Sequence, residues 1–243
     1  MAVIHHTTLT PTKVELLAAW LPSRPWYRAT TAAPELAKAG GFRLDDPEGE
    51  VGIEFLVVTD GSDGSAPAYL TPLTYRGAPL DGAEAALLGT MEHGVLGKRW
   101  VYDGAHDPAL VGQLLALLAG RAVAQAQSES DVPDPTVEVR TVADLPATLP
   151  QVTETADATV LATAQGAPVT LSLTRVLRPG PAATGEDVRG QVLARWSAPD
   201  GAEPRGGGGG GGGGGRGGGP PPPPPPPPPP AASGRRVTSW DFM

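Results

Sequence analysis

Cysteine is absent from the 243 residues, which excludes disulfides, thiolate nucleophiles and cysteine-ligated zinc together. Asparagine is absent as well, and lysine occurs only at Lys13, Lys38 and Lys98. Without asparagine, the chain cannot supply the Asn that holds magnesium in a kinase-type catalytic loop. No run of eighteen apolar residues occurs, so the sequence offers no helical membrane span. The opening Met1–Thr8 carries neither a basic start nor the apolar core of a signal peptide. Together these absences predict a cytoplasmic protein with no membrane partner. Cations are also outnumbered: the formal net charge is −8. The basic residues are scattered, and Arg235-Arg236 is too short for a polybasic patch, so nucleic acid is excluded as a partner.

Glycine and proline are what the chain has in excess, 33 and 29 residues, and many of them lie in 206–230. Gly206–Gly219, broken only by Arg216, reads as flexible coil, and Pro220–Pro230 as polyproline II. The expectation is a disordered tail over 205–243 whose removal changes the melting temperature little. The proline run fits a polyproline-reading partner, or equally a slippage product of a GC-rich gene.

Before the tail, hydrophobic periodicity and capping signals place the elements. Thr12-Lys13-Val14-Glu15 is a capping box, opening a helix that Pro22 stops. Phe42–Leu44 and Val51–Thr59 alternate as strands, the second with Ile53, Phe55 and Val57 on one face. Tyr69–Tyr75 returns across the loop 60–65. Pro72 lacks a ladder donor, which predicts an edge or bulged strand there. Gly82–Leu88 suggests helical turns and Val95–Tyr102 a further strand. Asp107 at the N-cap and Pro108 at the first helical position begin the strongest helix, with Leu110, Val111, Leu114, Leu115, Leu117 and Leu118 on its apolar stripe. After Pro133 and Pro135, short Val/Thr/Leu runs at 137–142, 159–163, 169–177 and 191–196 predict β-strands. The expected organisation is an α+β domain over 1–130, a small β-rich domain over 131–204, and the tail. The first domain is expected to fold by itself.

The segment Trp20-Leu21-Pro22-Ser23-Arg24-Pro25-Trp26-Tyr27 resembles the start of bacterial maltokinases. The resemblance continues through Glu50–Phe55, Tyr75–Leu80 and Gly89–Gly97, and ends after Tyr102–Pro108, covering roughly residues 10–125. Pro25 departs from the charged or polar residue that many relatives carry. The resemblance implies a maltokinase N-terminal cap: a curved antiparallel sheet with packed helices, cystatin-like in topology, that sits on kinase lobes without supplying catalytic residues. It implies a sugar-kinase lobe or another α-glucan enzyme as partner, in trehalose and α-glucan metabolism. The kinase machinery itself is missing: His106-Asp107 lacks the catalytic-loop spacing. Stand-alone caps of this kind are sometimes labelled 1,4-α-glucan branching proteins, but that activity needs a barrel of about 250 residues with paired carboxylates.

Other chemistry is weaker on the residues. His5, His6, His93 and His106 show no metal-ligand spacing. Asp45, Asp46, Glu48 and Glu50 lack calcium-loop order and read as a solvated hairpin end. Gly94–Lys98 lacks the spacer of a phosphate loop. Trp20, Trp26, Tyr27, Trp100 and Tyr102 are sugar-stacking candidates or simply core. Glu92-His93 is an acid/base pair or a hydrogen-bonded turn. The sequence therefore assigns no catalytic residue, cofactor or metal ligand. It nominates Arg24, Trp26, Tyr27, Glu92 and His93 as an interaction surface. The alternative is a small carbohydrate-binding protein or enzyme that uses the aromatic set with Glu92 and His93.

Overall fold

The computed structural model describes residues 8–129, 131–141, 145–164, 169–178, 188 and 190–197, with the backbone alone of 236–242. The described residues are predominantly antiparallel sheet with two short α-helices, an α+β arrangement. Helix α1 spans Lys13–Trp20 and carries both halves of the capping box, the Glu15 amide on Thr12 Oγ1 and the Thr12 amide on the Glu15 carboxylate. Helix α2 spans Pro108–Leu118 with Asp107 as N-cap. Both starts follow the sequence signals. None of the described helices is long and apolar enough to cross a membrane.

Strand β1 (Leu9–Thr10) pairs with β5 (Leu87–His93), which pairs with β6 (Gly97–Asp103). Next come β4 (Ala68–Arg76), β3 (Gly52–Asp60) and β2 (Leu36–Leu44). From β2 the sheet passes through a single pair, Trp196 opposite Gly40, to β12 (Gly190–Trp196). The short β7 (Glu138–Arg140) also pairs with β12. The sheet continues through β13 (Arg236–Phe242) and β10 (Thr170–Thr174) to β9 (Ala158–Ala162) and β8 (Gln151–Glu154). Past Arg175, β10 is followed by β11 (Val176–Leu177), which pairs with β4. The chain thus runs from β10 straight into β11, which brings residues from beyond 131 back alongside β4.

Burial explains why the two parts of the chain come together. Alternation along β3 sends Ile53, Phe55 and Val57 into one cluster, with Phe42 stacked on Phe55 at 4.6 Å. The leucine stripe of α2 fills that same cluster, as do Leu161, Leu171, Leu173, Val192 and Trp196 from beyond residue 131. The opposite face of β3, Leu56 and Val58, packs on α1 and on Trp20, Trp26 and Tyr69. Residues 131–197 therefore share a core with the segment expected to fold alone.

Several expectations are corrected. Strand β4 is central, because β3 lies along one flank while β6 and β11 share the other. Pro72 falls where that second flank changes hands: β6 pairs from Leu73 onward, and the Leu70 amide donates to Arg175 O. The missing donor is thus placed where no ladder bond is required. Gly82–Leu88 forms one 3-10 turn at Glu84–Ala86 and then becomes β5. Of the predicted tail, 205–235 and Met243 lie outside the described residues, while Arg236–Phe242 is a strand.

The joint at Gly40-Gly41 requires glycine. A Cβ on Gly41, whose φ is +131°, would meet Phe55 O at 2.0 Å, and one on Gly40 would meet the β12 backbone at 3.1 Å. Only a residue without a side chain lets β2 lie between β3 and β12 here.

Candidate functional site

The nominated residues divide between two places. The first begins where α1 ends: Leu21–Ser23 forms a 3-10 turn with Pro22 inside it, and the chain leaves extended at Arg24. Arg24 lies over the Trp20 ring at 4.7 Å and donates to Ser23 Oγ. Trp20 meets Trp26 edge-on at 5.8 Å, and both Trp26 and Tyr27 pack on Tyr69. Trp26 is 1% exposed and Tyr27 9%. The polar tip of each finds a carboxylate, Trp26 Nε1 donating to Glu154 at 2.6 Å and Tyr27 Oη to Asp60 at 2.6 Å. Burial and that hydrogen bond push the Tyr27 phenol far above its usual range. Burial also works to raise Asp60, but donation from Tyr27 and from the Ser62 and Glu35 amides outweighs it and holds the carboxyl low. The aromatic set is therefore mostly core. Tyr102 is also buried, and Trp100 is half-buried under Lys98 at 5.0 Å.

The second place is the β5–β6 hairpin. Glu92 is exposed and sits opposite both Thr10 and Lys98. His93 Nδ1 accepts from the amides of Val95 and Leu96, so the imidazole shapes the turn. At the tip, Val95 is 60% and Leu96 47% exposed.

A buried network that the sequence reading did not nominate links the two halves of the chain. Arg175 is fully buried and donates from Nη2 to both oxygens of Asp103, at 2.7 and 2.6 Å. Its Nε donates to Thr159 Oγ1, whose hydroxyl donates to Glu154. The guanidinium also lies over Trp26 at 5.1 Å. Burial works to raise Glu154, but the His106 hydrogen bond, the Arg175 charge and the bonds from Thr159 and Trp26 hold it below the usual carboxylate range. The signal was present in the sequence: Arg175 falls at the same alternating positions as Leu171, Leu173 and Leu177, and an arginine on such a face needs a buried acid.

Asp103, His106 and Glu154 hold oxygen and nitrogen atoms within 4.8 Å of one another. That grouping could suit a cation, yet Arg175 already engages both Asp103 oxygens, and Trp26 and Thr159 engage Glu154. Two ion pairs meet in the cluster, Arg175 with Asp103 and His106 with Glu154. Asp107, part of the catalytic-loop-like string, is fully buried as the α2 cap and held bidentate by Arg76 at 2.7 and 2.6 Å. In the acidic turn, Asp46 is buried and accepts the Glu48, Glu50 and Val51 amides, so it organises the turn it was expected only to decorate.

Residues 20–107 match the family model described as the maltokinase N-terminal cap domain. The match runs from the last residue of α1 to the N-cap of α2, and it bears out the cap-like resemblance over that segment. A search of curated proteins found no match.

Proposed function

We propose that the chain is a non-catalytic, cap-like regulatory or interaction module that associates with a maltose or sugar kinase in trehalose and α-glucan metabolism. The observation that carries this reading is the cap-domain match over residues 20–107. In this reading the cap segment is the cystatin-like sheet that relatives place on kinase lobes, and the protein works in the cytoplasm. The geometry supports contact through the β5–β6 hairpin, where Glu92, Val95 and Leu96 are exposed. Trp26 and Tyr27, packed on Tyr69, and Arg24, over the Trp20 ring, support the domain that presents the hairpin. The carbohydrate-binding alternative cannot use Trp26 or Tyr27, which are buried, and is left with the half-buried Trp100 beside Glu92 and His93.

Purified protein incubated with ATP and maltose is expected to produce neither ADP nor a phosphosugar above background. The chain contains no asparagine to hold magnesium, and its His106-Asp107 string serves as a helix cap. Maltose-dependent ADP release, retained through a second purification step, would overturn the non-catalytic reading.

A further inference from the structure

The basic residues are scattered along the sequence, but the fold gathers three of them on one face of the sheet, beside the start of α1. Glu54 is the centre of that face. It is buried, accepting Lys13 Nζ and Tyr75 Oη on one oxygen, at 2.5 and 2.6 Å, and Gln127 Nε2 on the other at 3.1 Å. Burial works to raise the Glu54 carboxyl, while the Lys13 and Lys38 charges and the bonds from Lys13 and Tyr75 hold it low. Arg43 is the register partner of Glu54 across the β2–β3 ladder. Burial and Glu54 push the Tyr75 phenol well above its usual range, with the Arg43 charge working against them. Lys13, Lys38 and Arg43 therefore share one electrostatic neighbourhood, and it holds two of the chain's three lysines.

Their pairing is uneven. Lys13 answers Glu54, whereas the ion pairs among the described residues include neither Lys38 nor Arg43. Lys38 is exposed and Arg43 half-buried. Register sets their spacing: Lys38 faces Val58 and Arg43 faces Glu54, which places them about 13 Å apart along the sheet. Gly41, opposite Leu56, lies between them on the same face and carries no side chain to fill the gap. A Cβ there would meet Gln127 Nε2 at 2.7 Å, so that amide lies over the bare backbone. Nε2 carries two protons, and Glu54 takes one. The gap thus has a long cationic side chain at each end and an amide donor on its floor. A phosphate group, with close to two negative charges and three acceptor oxygens, matches that set.

We propose that Lys38, Arg43 and Gln127 form a binding site for a phosphate group, free or carried on a sugar as a monoester, seated over Gly41 between the two cations. The site belongs to this chain alone and needs no kinase partner. Phosphorus NMR linewidths are followed as full-length protein is added to inorganic phosphate and, separately, to glucose 1-phosphate, in chloride buffer at constant ionic strength. Expected is saturable broadening for at least one of the two, with a dissociation constant in the millimolar range or tighter. Lys38→Gln and Arg43→Gln should each weaken it at least fivefold, and Arg121→Gln, which removes an exposed cation elsewhere, should leave it unchanged. Lys38 is exposed, so Lys38→Gln is expected to melt like the parent and carries the test if Arg43→Gln fails to fold. Tighter binding of glucose 1-phosphate would support a phosphosugar site, and equal affinities a site for the phosphate group alone. Absence of saturable broadening with either ligand would overturn the site. So would an equal loss in Lys38→Gln, Arg43→Gln and Arg121→Gln, the signature of diffuse charge attraction.

Discussion

Truncation after residue 130 is expected to abolish the cooperative thermal transition. The deletion removes Leu161, Leu171, Leu173, Val192 and Trp196 from the cluster that also holds the α2 leucines. At about 1.5–3 kcal/mol for each large apolar side chain buried, the lost burial is on the order of 10 kcal/mol, comparable to the whole stability of a typical domain. It also strips β4 of the β11 flank and leaves the buried Asp103 carboxylate without Arg175. Circular dichroism melting of the 1–130 fragment decides the matter. A broad, non-cooperative melt is the expected result. A sharp transition near that of the full chain would establish 1–130 as an independent domain, as the linker prolines by themselves suggest.

The second large effect is at Arg175. Arg175→Met removes a fully buried guanidinium and leaves Asp103, itself 2% exposed, as an unpaired buried acid. Breaking one side of such a pair costs about 3–5 kcal/mol, which for a chain of this size lowers the melting temperature by roughly 10 °C. Adding Asp103→Leu is expected to restore much of the loss, because replacing both partners removes the stranded charge. If the single variant melts like the parent, or the double variant falls as far as the sum of the singles, the pair does not connect the halves as described.

The contrast between these two experiments shows which parts of the molecule were legible in the sequence. Both helix starts were, because a capping box and an Asp-Pro step act over three or four residues. Strand β3 was legible because its alternation is local, and its two faces do enter different cores. Pro72 was read correctly as a missing donor and wrongly as an edge, since only the full pairing shows β6 giving way to β11 on that flank. Gly82–Leu88 was read as helical turns, and one 3-10 turn does form at Glu84–Ala86 before Leu87 enters the β5 ladder with β6. Strand β13 carries no local signal that it belongs beside β12, because about forty residues separate two neighbours of a hairpin that normally spans a handful.

The candidate surface shows the same limit. Trp26 and Tyr27 read in sequence as binding aromatics or core, and they are core, their polar tips satisfied by Glu154 and Asp60, partners that folding alone brings near. Glu92-His93 reads in sequence as an acid/base pair or a hydrogen-bonded turn, and His93 does hold a turn together. Glu54, a charge within an apolar strand, repeats the Arg175 pattern: Lys13, Tyr75 and Gln127 surround it. A buried charge is visible in sequence, while its partner is not.

The central claim, association of a cap-like module with a sugar kinase, is tested most directly by calorimetric titration of the full-length protein into a maltokinase whose own N-terminal cap has been removed. The expected result is saturable binding that Leu96→Glu at the exposed hairpin tip weakens at least tenfold, while the variant's melting temperature stays within a few degrees of the parent. Absence of binding heat at several temperatures, with no co-elution on size exclusion, would contradict it.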